Sequence, residues 1–152
     1  VRPISLADLF NIVHNLVEAD WAEQDINLSM RIEPNSLELY ADPDMVEQVL
    51  LNILRNAQQA LSERQPARVD MVGYLNRQGH VSIEISDNGP GIPANIASNI
   101  FVPFFTTKRE GSGVGLALTR QIMLAHGGNV TAGNSESGGA RFTLNFLNNR
   151  ER

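Results

Sequence analysis

The sequence predicts an α+β fold, a two-layer α/β sandwich in which helices cover one face of a mixed, mostly antiparallel sheet. Three observations carry this expectation. Runs that alternate apolar and polar residues have one apolar face each, which leaves the other side of the sheet to water. The long helical patterns each carry one apolar stripe, so the helices form a single layer. With 152 residues, 42% of them hydrophobic, the chain holds apolar material for one core, and a single domain over residues 1–152 is expected.

Composition excludes several classes of function. A net charge of -5, with no basic run, argues against nonspecific binding of nucleic acid. The absence of cysteine excludes a disulfide framework or a cysteine zinc site and fits a reducing compartment. No apolar run is long enough to span a bilayer and no signal peptide is recognisable. A cytoplasmic domain without membrane contact is therefore expected. A first residue of Val1 rather than methionine suggests a piece of a longer protein, which leaves open an inner-membrane anchor in the parent.

Taken in order, residues 4 to 23 place Leu6, Leu9, Phe10, Val13, Leu16 and Val17 at helical spacing, with Ser5 as N-cap before Asp8. His14 within this helix has no partner at ligand spacing and reads as an ordinary helix residue. Leu28, Met30 and Ile32 alternate with Ser29 and Arg31 as a strand. A turn at residues 33–36 then leads to a short strand over residues 38–41. Asp42 caps a second helix with Pro43 in its first turn, running to about Glu63. Its stripe is Val46, Val49, Leu50, Ile53, Leu54, Ala57 and Leu61, with Asn52 and Asn56 one turn apart along the edge and Glu47 on the opposite side. Residues 68–76 and 80–87 form a strand pair joined through Asn76-Arg77-Gln78-Gly79. Parity puts Asp87 on the face of Val81, Ile83 and Ile85, so this carboxylate aims inward and needs hydrogen-bonding partners. A short helix at 94–99 precedes a long loop, which Phe101, Phe104 and Phe105 anchor at its base. The next helix puts Val114, Ala117, Leu118, Ile122, Met123 and Ala125 on its core side and stops at His126-Gly127-Gly128, with His126 structural. Val130, then Ala140, Phe142, Leu144 and Phe146, mark the last strands.

Three stretches bear the chemistry: Asp87-Asn88-Gly89-Pro90-Gly91-Ile92 after a strand, Thr106-Thr107-Lys108 within the loop, and Gly111-Ser112-Gly113-Val114-Gly115-Leu116 opening a helix. Amides bared by glycine and a helix N-terminus hold phosphate. A fixed carboxylate accepts a hydrogen bond from the amino group of adenine, where guanine presents an oxygen. An Asn pair can give a carbonyl oxygen to Mg²⁺ and a donor to phosphate. The residues together read as an ATP site.

In this order, Asn52-x-x-x-Asn56, Asp87-x-Gly89-x-Gly91, Phe101 with Pro103-Phe104-Phe105-Thr106-Thr107-Lys108, Gly111-x-Gly113-x-Gly115-Leu116 and Gly138-Gly139 resemble the N, G1, F, G2 and G3 boxes of the catalytic, ATP-binding domain of two-component sensor histidine kinases. The fold of that superfamily is the Bergerat ATP-binding fold, shared with gyrase, heat-shock chaperone and mismatch-repair ATPases. The wording of the boxes is closest to the nitrogen-regulatory type. The resemblance implies Asn56 as the Mg²⁺ ligand, with Asn52 beside it near the phosphates, and Asp87 on the adenine amino group. Gly89, Gly91 and Ile92 would line the base pocket. Thr106, Thr107, Lys108, Gly111, Gly113, Val114, Gly115 and Leu116 would face the phosphates, with Asn52 and Lys108 serving the transfer.

Related ATPases carry a glutamate at the place of Asn52 to activate water; the asparagine suits placement of the γ-phosphate for another nucleophile. Gln59 and Ala60 depart from the basic and aromatic residues common after the N box. The resemblance also implies partners: a histidine-bearing dimerisation domain of the same kinase, and a response regulator receiver domain. No histidine here is followed by an acidic residue, so the chain is expected to bind ATP without phosphorylating itself, and, with dimerisation expected on another domain, to be a monomer. A stand-alone ATPase or anti-sigma-type serine kinase, and a degenerate interaction module, are the alternative readings.

Overall fold

A computed structural model describes residues 1–61, 66–93, 100–102, 115–135 and 138–146. The chain opens with a strand the sequence reading does not contain, β1 (Arg2–Ser5), paired antiparallel with β3 (Glu38–Ala41) so that Pro3 faces Tyr40. Four residues including a proline show no readable alternation, and only the distant partner makes them a strand. Helix α1 (Leu6–Glu23) starts as expected, with Ser5 Oγ accepting the Asp8 N–H at 3.2 Å. Its buried stripe is Leu6, Leu9, Phe10, Val13, Val17 and Trp21. Trp21 widens the stripe on one side, and Leu16, expected inside, lies beyond its other edge at 57% exposure. Helix α2 (Pro43–Ala60) follows its Asp42 cap, whose Oδ1 accepts the N–H groups of Asp44 and Met45. Every residue of its expected stripe is buried, with Leu61 at the C-cap; residues 62–65, where the longer helix was expected to finish, lie outside the described residues.

The main sheet has the order β2-β4-β5-β7-β6, formed by β2 (Ile26–Glu33), β4 (Ala67–Leu75), β5 (Val81–Asp87), β6 (Asn129–Asn134) and β7 (Ala140–Phe146). Only the β2–β4 pair is parallel. In β5 and β7 the alternating residues Val81, Ile83, Ile85 and Asp87, and Ala140, Phe142, Leu144 and Phe146, are buried. The opposite face is a polar layer. There Asn76 Nδ2 donates to Ser82 Oγ, Ser82 Oγ to Asn145 Oδ1 and Asn145 Nδ2 to Asn129 Oδ1. On the same face Tyr74 donates to Glu84 at 2.7 Å, and burial together with that carboxylate pushes the phenol up to about 12. With one wet face and one packed face, the sheet and helices form the expected two layers.

Gly73 shows how closely the layers meet. A Cβ on this residue would come within 2.6 Å of Leu6 Cδ2 and 3.5 Å of Phe10 Cζ. Because the nearest atom is a side-chain tip, Gly73→Ala is expected to destabilise by only about 1 kcal/mol and to lower Tm by roughly 2–4 °C, read by thermal denaturation.

Helix α3 (Gly115–Ala125) differs from the sequence reading in its buried face. Ala117, Thr119, Ile122 and Met123 are buried, whereas Leu118 is 42% exposed and Ala125 is exposed. Val114 lies outside the described residues. The helix turns Thr119 inward because a polar partner, Asn52 of α2, waits there, and a pattern of apolar residues alone cannot register that. After α3, Gly127 takes a φ of 76° and ends the helix as expected. His126 is structural: its Nε2 accepts the Asp42 N–H and its Nδ1 faces the Ile122 carbonyl at 2.9 Å, joining the end of α3 to the start of α2.

Candidate functional site

Asp87 closes β5 and is 5% exposed. Its Oδ1 accepts two backbone N–H groups, Gly89 at 2.9 Å and Ala140 at 3.2 Å. Those bonds meet the need that its inward parity raised, and they fix the carboxylate at one point. Asn88 turns the other way: its Oδ1 accepts the Arg68 N–H and its Nδ2 donates to the Pro66 carbonyl. The loop after β5 is thus pinned to β4 on one side and to β7 on the other.

Two glycines are required here by close approach. Gly91 has a φ of 86°, and a Cβ on it would stand 2.5 Å from the Gly138 carbonyl and 2.8 Å from Asn134 Oδ1. A Cβ on Gly139 would collide with the Asp87 carbonyl. Gly89 meets Ala60, whose carbonyl would be 3.2 Å and Cβ 3.5 Å from a side chain placed there. Ala60, a departure from the family pattern, therefore packs a small residue of α2 directly against the loop. Asn134, at the end of β6, accepts the Ile92 N–H at 2.7 Å and donates to the Ile92 carbonyl at 3.3 Å. In the sequence reading Asn134 has no role. Its only signal there was an amide side chain shortly before Gly138-Gly139.

On α2, Asn52 and Asn56 are both half-buried along the edge of the stripe, as expected. Asn52 Nδ2 donates to the Gly115 carbonyl at 3.2 Å and to Thr119 Oγ1 at 3.5 Å, and its Oδ1 accepts from Gln48 Nε2 at 3.2 Å. Its amide thereby ties the first turn of α3 to α2. Leu116 in that turn is partly buried against the core. Glu47 is half-buried on the other side of the stripe from Asn52 and Asn56, and Arg55 is exposed. Phe101 anchors the start of the loop, its ring edge-on to Phe142 with centroids 6.4 Å apart.

The structure therefore brings together Asp87, Gly89, Gly91, Ile92, Ala60, Gly139 and Asn134 around the end of β5, and Asn52 with Gly115 and Thr119 at the start of α3. Thr106, Thr107, Lys108, Gly111, Gly113 and Val114 lie outside the described residues, as do Phe104, Phe105 and the helix expected at 94–99. Among the described residues, no group of three or more His, Cys, Asp or Glu side chains could hold a metal ion. No described helix is long and apolar enough to cross a membrane.

Comparison with known proteins gives the family and the fold. Residues 41–150 match the family described as histidine kinase-, DNA gyrase B-, and HSP90-like ATPase. The chain is 37% identical over 145 residues to the sensor protein FixL of Bradyrhizobium diazoefficiens, an alignment covering 94% of this chain and 29% of that protein. It is 38% identical over 143 residues to the signal transduction histidine-protein kinase AtoS of Escherichia coli, covering 94% of this chain and 23% of the relative. The chain thus spans less than a third of the length of these curated relatives. Among solved structures, the nucleotide-free catalytic domain of histidine kinase ThkA aligns with a TM-score of 0.86 at 30% identity, over 95% of this chain and 93% of that one. Histidine kinase ThkA in complex with the response regulator protein TrrA aligns with a TM-score of 0.81 at 28% identity, over 95% of this chain and 40% of that one.

Proposed function

This chain belongs to the histidine kinase-, DNA gyrase B-, and HSP90-like ATPase family, among its sensor histidine kinases, and on that premise we propose that it binds Mg-ATP and presents the γ-phosphoryl group to a histidine on a dimerisation domain of the same kinase. A response regulator receiver domain then takes the phosphoryl group onto an aspartate, a partner class that the ThkA complex supports. The observation that carries the reading is the buried Asp87 carboxylate, held by the Gly89 and Ala140 amides beside a glycine-lined loop. Its acceptor character fits the amino group of adenine, and glycine at 89 and 91 lets the loop lie close against Ala60, Asn134 and Gly138 beside that carboxylate.

The residues also suit the phosphate side. Asn56 would give its carbonyl oxygen to Mg²⁺, whose remaining ligands would be phosphate oxygens and water, as is usual for this ion. The ion supplies charge neutralisation across the phosphates when bound. Asn52 holds the first turn of α3, so the helix N-terminus that would meet the phosphates is tied to the helix bearing the metal ligand. Lys108, Thr106, Thr107, Gly111, Gly113, Val114, Gly115 and Leu116 complete the proposed phosphate contacts, with Lys108 balancing charge in the transfer. An amide at position 52 cannot act as the base that activates water, which favours transfer over hydrolysis.

Calorimetric titration with ATP, ADP and GTP, with and without Mg²⁺, tests the reading. Adenine nucleotides are expected to bind and GTP not to, with Mg²⁺ strengthening ATP binding. In Asn56→Ala the Mg-ATP affinity should fall roughly tenfold, as for a lost bond to a charged partner, and the strengthening by Mg²⁺ should vanish. Labelled ATP should leave no acid-labile phosphate on the chain. Failure to bind any nucleotide would turn the domain into an interaction module. Rapid phosphate release would make it an ATPase.

A further inference from the structure

We infer that Asn134 is a positioning residue for base recognition, a role that rests on the nucleotide reading above and adds to it a residue outside the family boxes. The side chain stands at the end of β6, where the strand has finished pairing with β7 at Ala140. Instead of continuing the ladder, its amide imitates a peptide. Oδ1 accepts the Ile92 N–H at 2.7 Å and Nδ2 donates to the Ile92 carbonyl at 3.3 Å. One side chain thus satisfies both backbone groups of a single residue in a loop that has no strand partner there.

The location gives this clip its consequence. The β6–β7 turn is closed on itself, with the Ser135 N–H donating to the Gly139 carbonyl at 2.6 Å and the Gly138 N–H to the Ser135 carbonyl at 3.0 Å. The same turn packs Gly139 against Asp87 and sends the Ala140 N–H to Asp87 Oδ1. The turn therefore holds the loop at two points, Asp87 at its start and Ile92 five residues later. Gly91 lies between them, its Cα so close to Asn134 Oδ1 and the Gly138 carbonyl that no side chain fits. Asp87 supplies the acceptor for the base, and Asn134 fixes the opposite end of the loop that lines it. A loop held at one end only would let Gly89 to Ile92 drift relative to the carboxylate, and a recognition site tolerates little drift before it loses selectivity. The geometry also explains why asparagine is needed: aspartate has no donor for the Ile92 carbonyl, and alanine has neither group.

The test uses the whole chain and two variants, Asn134→Ala and the near-isosteric Asn134→Asp. Affinity is measured calorimetrically for ATP and for inosine triphosphate, which presents an oxygen where adenine has its amino group, and exchange of the Ile92 amide is followed by NMR. Both variants are expected to bind ATP about tenfold more weakly and to narrow the ratio of ATP to inosine triphosphate affinity, and Asn134→Ala, which also loses the acceptor, to exchange the Ile92 amide faster. Gly73→Ala, which crowds the core against Leu6 without touching the loop, should lower Tm and leave the ratio unchanged. If both Asn134 variants keep the ATP affinity, the ratio and the Ile92 protection of the parent, Asn134 is a surface residue and the inference fails alone. If the parent binds no ATP, the nucleotide reading fails and takes the inference with it.

Discussion

Asp87→Asn is expected to weaken ATP binding by roughly two orders of magnitude, the loss of a charge-assisted hydrogen bond together with the donor it leaves unpaired, while leaving the domain folded. The two parts of this outcome have separate causes. In the parent, Oδ1 is committed to the Gly89 and Ala140 N–H groups. An asparagine can keep both bonds through its carbonyl oxygen, but its NH₂ would then meet the adenine amino group that the proposed function sets against this carboxylate, and donor would face donor. The flipped rotamer is worse, because the NH₂ would oppose two backbone N–H groups. Neither orientation serves both fold and ligand. Stability suffers little, since the substitution removes a buried charge and conserves shape. Calorimetry and a thermal melt on the same sample check both parts; undiminished ATP affinity would remove Asp87 from the binding site.

Gly139→Ala should give a large loss of stability, because the new methyl group would land on the Asp87 carbonyl and within 2.9 Å of Asp87 Oδ1. The obstacle is backbone, unlike the flexible tip that opposes a side chain at Gly73. Either β5 or the β6–β7 turn must shift, and that turn is held by the Ser135 bond to the Gly139 carbonyl and by the Ala140 bond to Asp87. A cost of about 2–3 kcal/mol is expected, corresponding to a Tm roughly 5–10 °C lower. Nucleotide affinity should fall with it as Asp87 is displaced. Gly133→Ala serves as the control, since a Cβ there meets nothing within 4 Å. Equal melting temperatures for the two variants would show that the Asp87 contact is not what position 139 requires.

The features legible in the sequence are those set by local periodicity and local chemistry. The stripe of α2 was readable residue by residue because one helix face packs against one continuous core. The inward aim of Asp87 followed from parity along β5, which a two-residue repeat fixes without knowledge of the neighbours. Caps at Ser5 and Asp42 act within one turn of the chain and were equally plain. The family boxes were legible because glycine and asparagine at fixed spacing leave a pattern even when their contacts are distant.

Features missed in the sequence are those in which a residue is chosen by a remote partner. Strand β1 exists only because β3 accepts it. Thr119 is buried because Asn52, 67 residues earlier in the chain, receives it, and this rotates α3 so that Leu118 faces outward. Asn134 clips Ile92 across 42 residues, and Ala60 fits beneath Gly89 from the end of α2. The sequence by itself determined the helices and the strands of the main sheet, its single packed face and the inward carboxylate, because helix and strand periods are properties of the backbone. Only the tertiary structure decided which amide meets which peptide at the loop, because hydrogen-bond geometry between remote segments is set by the packing of the layers that carry them.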